Sequence, residues 1–198
     1  MTSAPGVAEW ELFIRASAQN RPADDHASQE LENQRIDRVR LIANAARAER
    51  AGGTGDGHEA VAALIRLLDV ETGHRPILQI GHAKRTMRHE VVSQLGQLGD
   101  RSAVGPLVAQ LARSQQEYVD IVAEIAGKAP VEGRRRDTRD ATVAENVYET
   151  TAEALGLLAD PAALPALEAA LPETHFGMKK ATVRAIKAIK AAHPLPTG

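Results

Sequence analysis

Apolar positions along this chain follow two periods at once. Within segments they recur every three or four residues, as at Leu31, Val39, Ile42, Ala43 and Ala46, which is the spacing of one face of a helix. Between segments a longer period runs: Leu64, Leu95, Ile125, Leu155 and Ile186 stand 31, 30, 30 and 31 residues apart, with Ala, Leu and Gly at matching offsets around each. A helical period nested inside one of about thirty residues predicts stacked helix pairs, each too small to bury its apolar face without its neighbours. The expected architecture is all-α, a right-handed superhelical solenoid of antiparallel helix pairs.

The punctuation of the chain divides it further. Trp10, Leu12, Phe13 and Ile14 predict a short first helix, and the polar stretch from Asn20 to Ser28, with Pro22, reads as a linker. A second amphipathic helix then runs to about Arg50, so residues 1–51 are expected to cap the open end of the solenoid. Residues 52–57, Gly-Gly-Thr-Gly-Asp-Gly, form a breaker. No Lys-Ser or Lys-Thr follows it, so a linker is favoured over a phosphate cradle. About five repeats follow over 58–192, at 58–83, 84–114, 115–144, 145–173 and 174–192, the last a single closing helix, and 193–198 is a tail.

Particular residues explain the turn inside a repeat. Asp100 and Asp160 are placed to accept hydrogen bonds from the free N–H groups of a second helix, and Pro161 occupies the first helical position, where its missing N–H costs nothing. Gly96 and Gly156 each follow an anchor leucine inside a helix, where Gly is unfavourable by about 1 kcal/mol relative to Ala. Close approach of a neighbouring helix is the expected compensation. The third repeat departs from the pattern: Pro130 to Asp140 carries Gly133, Arg134, Arg135, Arg136 and Arg139 where an apolar helix should be, and is expected to be a charged loop at 130–140. That run reads either as a solvated charge cluster, with Asp137 and Asp140 offsetting the arginines, or as a basic contact for an acidic partner. The lysines at 179, 180, 187 and 190 read as the polar outer face of the closing helix.

Composition narrows the function classes. Hydrophobic residues make up 43% and charged residues 25%, ordinary for a folded protein. Aromatics are 3% and the net charge is -2, so neither stacking platforms nor a basic field for nucleic acid is present. With no Cys, disulfides and thiolate metal sites are excluded. No segment approaches the roughly 20 apolar residues of a membrane helix, and the opening Met1–Gly6 stretch does not begin a secretion signal, so no membrane partner and a cytoplasmic location are expected.

One constellation carries candidate chemistry. Six residues before the anchors stand His58, His89, Val119, Glu149 and Lys180, and the next column holds Glu59, Glu90, Asp120, Thr150 and Ala181. Two His-Glu pairs thus fall at equivalent positions, expected in the first turns of adjacent helices about 8–10 Å apart, and two imidazoles with one carboxylate form a known facial metal-binding set. Asp120 and Glu149 continue the acidic column as weaker ligand candidates. The alternative reading is structural, since an acidic residue in a helix's first turn is favoured by the macrodipole.

The stretch Met87-Arg88-His89-Glu90-Val91-Val92-Ser93-Gln94-Leu95-Gly96-Gln97-Leu98-Gly99-Asp100 resembles the HEAT-like repeat named after the phycobilisome bilin lyases, in the His-Glu variant of deoxyhypusine hydroxylase. His58-Glu59-Ala60-Val61-Ala62-Ala63-Leu64 is similar, with Ile65 where that family prefers Gly. The resemblance implies a solenoid of HEAT-like helix pairs and, through the hydroxylase, iron held by His58, His89 and Glu90 with Glu59 as a ligand or its support. The hydroxylase has four His-Glu motifs and this chain two, so a complete diiron centre of that kind implies a homodimer and a single chain a mononuclear site. The first functional reading is a scaffold that presents a curved surface to a protein or peptide partner. The alternative is an iron-dependent oxygenase or hydroxylase.

Overall fold

The computed structural model describes residues 6–20, 25–52, 58–70, 86–126 and 134–194, without the side chains of residues 25 and 134–139. Every regular element among them is helical: α1 Val7–Ala18, α2 Asp25–Gly52, α3 His58–Leu67, α4 Met87–Leu98, α5 Val104–Ala126, α6 Arg134–Leu158, α7 Leu164–Ala170 and α8 Phe176–Ala192, with single 3-10 turns at Arg101–Ala103, Pro161–Ala163 and Leu171–Glu173. The all-α expectation holds, and none of these helices is long and apolar enough to cross a membrane. The chain divides into two compact units, residues 1–98 and 99–198.

In the first unit α2 lies against α1, α3 and α4, α1 also touches α3, and α3 touches α4. The apolar face anticipated in α2 is the one it buries: Val39, Ile42, Ala43 and Ala46 are fully enclosed, together with Ile14 of α1 and Val61, Leu64 and Leu67 of α3. A buried polar chain ties three helices together. Arg35 of α2, 2% exposed, donates from Nε to Ser17 Oγ at 3.0 Å, to the Ser17 carbonyl at the end of α1, and from Nη1 to Glu32 at 3.0 Å. Glu32 in turn accepts the Met87 N–H at 2.6 Å, which starts α4. A buried guanidinium is tolerated only when its donors are matched in this way. The predicted linker is shorter than expected, because α2 already begins at Asp25 and takes in Ser28. The second half of the first repeat, 71–83, and residues 53–57 of the Gly-rich breaker lie outside the described residues.

In the second unit α6 packs on α5 and α8, and α7 on α8. Leu107 and Leu111 of α5, Tyr148 and Leu155 of α6, Leu167 of α7, and Met178 and Ile189 of α8 form its core. Both predicted caps are present: Asp100 accepts from the Ser102 N–H and Asp160 from the Ala162 N–H, each at 2.9 Å, with Pro161 opening the turn before α7. The residues just before them, Gly99 and Ala159, are both left-handed, at φ 69° and 50°, so the two copies share one backbone turn. Gly156 also behaves as expected: a Cβ there would lie 3.1 Å from Cα of Ala185, which puts α8 directly against α6.

The third repeat is not a helix pair. Helix α5 continues without interruption from Val104 past Leu111 to Ala126, so the anchor Ile125 shares a helix with the preceding repeat and is only half-buried, whereas Leu64, Leu95 and Leu155 are fully enclosed. The charged loop expected at 130–140 is corrected for 134–140, which form the first turns of α6; residues 130–133 lie outside the described ones. Arginine is a good helix former, and Arg134 to Asp140 contains no Gly or Pro to stop the helix.

Candidate functional site

The His-Glu motif of α4 is built by capping. Thr86 Oγ1 accepts the His89 N–H at 3.1 Å while Glu32 takes that of Met87, so two of the free donors at the start of α4 are matched without the side chains of His89 and Glu90. The side chain of Glu90 then turns inward and is 2% exposed. Its Oε1 accepts from Arg40 Nε of α2 at 3.1 Å and from Gln94 Nε2, one turn further along α4, at 2.9 Å. Hydrogen bonding to Glu90 pushes the Arg40 guanidinium further above its ordinary range, and Asp37 adds a second, exposed contact at 3.3 Å. Glu90 therefore acts as a buried strut between α2 and α4.

The other members of the column fall in different settings. His58 and Glu59, in the first turn of α3, are exposed, and His89 is half-buried. Glu59 contributes to the field that raises Arg66, whose main partner is Glu11 of α1 at 2.7 Å. Glu11 is held below the ordinary carboxylate range by that Arg66 hydrogen bond and, after it, by the one from Arg15. The first-turn placement expected for the whole column holds only for these two pairs. Asp120 lies well inside α5, exposed and accepting from Gln116 Nε2 at 2.7 Å, and Glu149 lies inside α6. The merging of the third repeat into continuous helices moved both away from helix N-termini. Arg134, Arg135, Arg136 and Arg139 lie in the first turns of α6, with side chains outside the described ones.

Iron needs three or more ligand atoms converging on one point. Among the described residues no three His, Asp or Glu side chains come together in a group that could hold a metal ion. The fully buried carboxylate of the set already takes an arginine and an amide. Among the described residues, then, the donor set does not fit an iron.

The second unit holds a cluster of which the sequence singled out Glu149 alone as a candidate ligand. Glu145 and Glu149, one turn apart on α6, both reach over Gly177, their Oε1 atoms filling the space a Cβ there would need. Two negative groups thus stand at the positive end of α8, whose first residue has no side-chain cap of its own. His175 is exposed, as expected for a turn, yet its Nδ1 lies 3.4 Å from Glu145 Oε1 and its ring centroid 5.8 Å from that of Tyr118 on α5. Burial, then the neighbouring carboxylates of Glu145 and Glu153, raise the Glu149 carboxyl above its ordinary range, against the opposing pull of Arg184 and Lys180. Burial and Glu145 likewise raise the Tyr118 hydroxyl. The i, i+4 spacing of Glu145 and Glu149 was the available sequence signal; that both would point at Gly177 depended on how α6 meets α8.

The known families agree with this architecture. Residues 87–113 and 147–171 match the PBS lyase HEAT-like repeat. No curated protein matches the chain. The two matched segments are the two copies whose aspartate caps and left-handed turn residues coincide. Two segments of the chain are thus similar to the PBS lyase HEAT-like repeat, and both lie within an all-α fold of helices packed on helices.

Proposed function

We propose that this protein is a binding or scaffolding module whose helical faces receive a protein or peptide partner. The observation that carries the reading is the contrast between spent chemistry and free apolar surface. Glu90, the most enclosed of the candidate ligands, places its Oε1 in a helix-to-helix ion pair. Meanwhile Val119, Val122, Leu157 and Phe176 of the second unit stay 41–81% exposed on helices that are otherwise well packed. Repeat folds of stacked helices commonly use such faces for recognition.

Selection of a displayed random-peptide library against the full chain tests this. Enriched clones should bind in the micromolar range or tighter and protect backbone amides of α5, α6 or α8 from hydrogen exchange. A library that yields no binder above the unselected background would overturn the reading.

A further inference from the structure

The distal half of α5 carries an apolar band that the core does not use. At about 100° per residue, the buried side of α5 runs through Leu107, Gln110, Leu111 and Ser114, and a separate stripe, with Val122 at its edge beside Leu111, runs through Ala112, Gln116, Val119, Val122, Ala123 and Ala126. These six are all exposed, Val119 by 45% and Val122 by 41%. Residues 112, 119 and 126 stand seven apart, with 116 and 122 or 123 between them, so the band has the heptad spacing of a helix–helix seam. It is about 21 Å long at 1.5 Å per residue, and its alanines let a second helix come close.

Charge decides what kind of helix. On one side of the band the row Glu117, Asp120 and Glu124 sets three carboxylates against the single Arg113. On the other side stands Tyr118, whose ring lies against that of His175. Phe176, next to His175, is 81% exposed. An apolar seam bordered along one side by an acidic row favours a partner that is apolar along one stripe and cationic beside it. A second copy of this chain would bring two acidic rows together, and an anionic lipid surface would meet the same repulsion.

We propose that this face of α5 docks a basic amphipathic helix of a partner protein, with branched aliphatic side chains seated between Val119, Val122 and Ala123 and with Lys or Arg directed to the flanking Asp120 and Glu124. The assignment rests on the scaffold reading above and gives it a partner chemistry. Three labelled synthetic peptides test it by fluorescence anisotropy on the full chain: a helix with leucines at heptad spacing flanked by lysines, the same helix flanked by glutamates, and the lysine peptide with its leucines scrambled. The lysine-flanked helix should bind at least about tenfold more tightly than either control. V119S/V122S should weaken it by about tenfold or more, D120K/E124K should invert the preference toward the glutamate-flanked helix, and L157S, at an exposed apolar position elsewhere on the unit, should leave it unchanged. Equal binding of the lysine and glutamate helices, no binding of either, or an unaltered response in both double variants would overturn the proposal. If the peptide library nonetheless yields binders that protect another face, the scaffold reading stands and only this docking assignment falls.

Discussion

Replacing Gly156 by alanine should lower stability, although helix propensity taken alone favours the change. An added Cβ would meet Ala185 Cα at 3.1 Å and Ala185 Cβ at 3.4 Å. Relaxed carbon–carbon contacts lie near 3.5–4.0 Å, so α8 would have to move away from α6 by a few tenths of an ångström, and the atom in the way is backbone that cannot rotate aside. Overpacking of this kind costs about 1–3 kcal/mol. Exchanging Gly for Ala inside a helix returns about 1 kcal/mol, leaving a net loss near 1 kcal/mol. At Gly105, exposed in the first turn of α5, an added Cβ would have nothing within 4 Å, so Gly105→Ala should gain about 0.5–1 kcal/mol. The same exchange in the same unit therefore carries opposite signs, separated by about 2 kcal/mol. Urea titrations followed by helical ellipticity would read this, with melting shifts of about 2–4 °C per kcal/mol as a check. If Gly156→Ala stabilises as much as Gly105→Ala, the close seating of α8 on α6 is refuted.

Further outcomes follow from the same interactions. Glu90→Ala should destabilise the first unit by about 1.5–3 kcal/mol in a denaturant titration, because it strips charge-assisted partners from Arg40 and Gln94. On the same strut reading, plasma mass spectrometry of untagged protein should find iron far below one per chain, unchanged in a His58→Ala, His89→Ala double variant. Glu149 has a raised carboxyl, so its contribution to stability is complete below the ordinary value of 4.5 and lost as pH rises through the raised one. Glu149→Gln should therefore melt higher than the parent at pH 7, with the difference closing below pH 4.5. Glu11 shows the opposite sign: lowered by Arg66, it stabilises above 4.5 and loses that contribution as pH falls through its depressed value, so Glu11→Gln should be less stable than the parent at pH 7 and match it in strong acid. Asp100→Ala and Asp160→Ala should each cost about 1 kcal/mol by removing a cap, and an unchanged melting curve would show those caps to be dispensable.

The sequence by itself determined whatever depends on neighbours a few residues away. Helical periodicity, the aspartate caps and Pro161 are all local, and the helices bear them out because a helix contacts itself at i, i+3 and i+4 wherever it lies. The candidate site was legible in the same measure: the His-Glu pairs of α3 and α4 stand in first turns, where the spacing put them. Only the tertiary structure decided what those side chains meet. Arg40 finds Glu90 across 50 residues and Glu32 caps α4 across 55, pairings set by the path of α2 rather than by any local spacing. The uninterrupted course of α5 joined the end of one expected repeat to the start of the next, left Ile125 half-buried, and carried Val119 and Val122 to the surface. An apolar residue at a repeat anchor can be buried only if a neighbouring element arrives to cover it, and a one-dimensional period does not record whether one does.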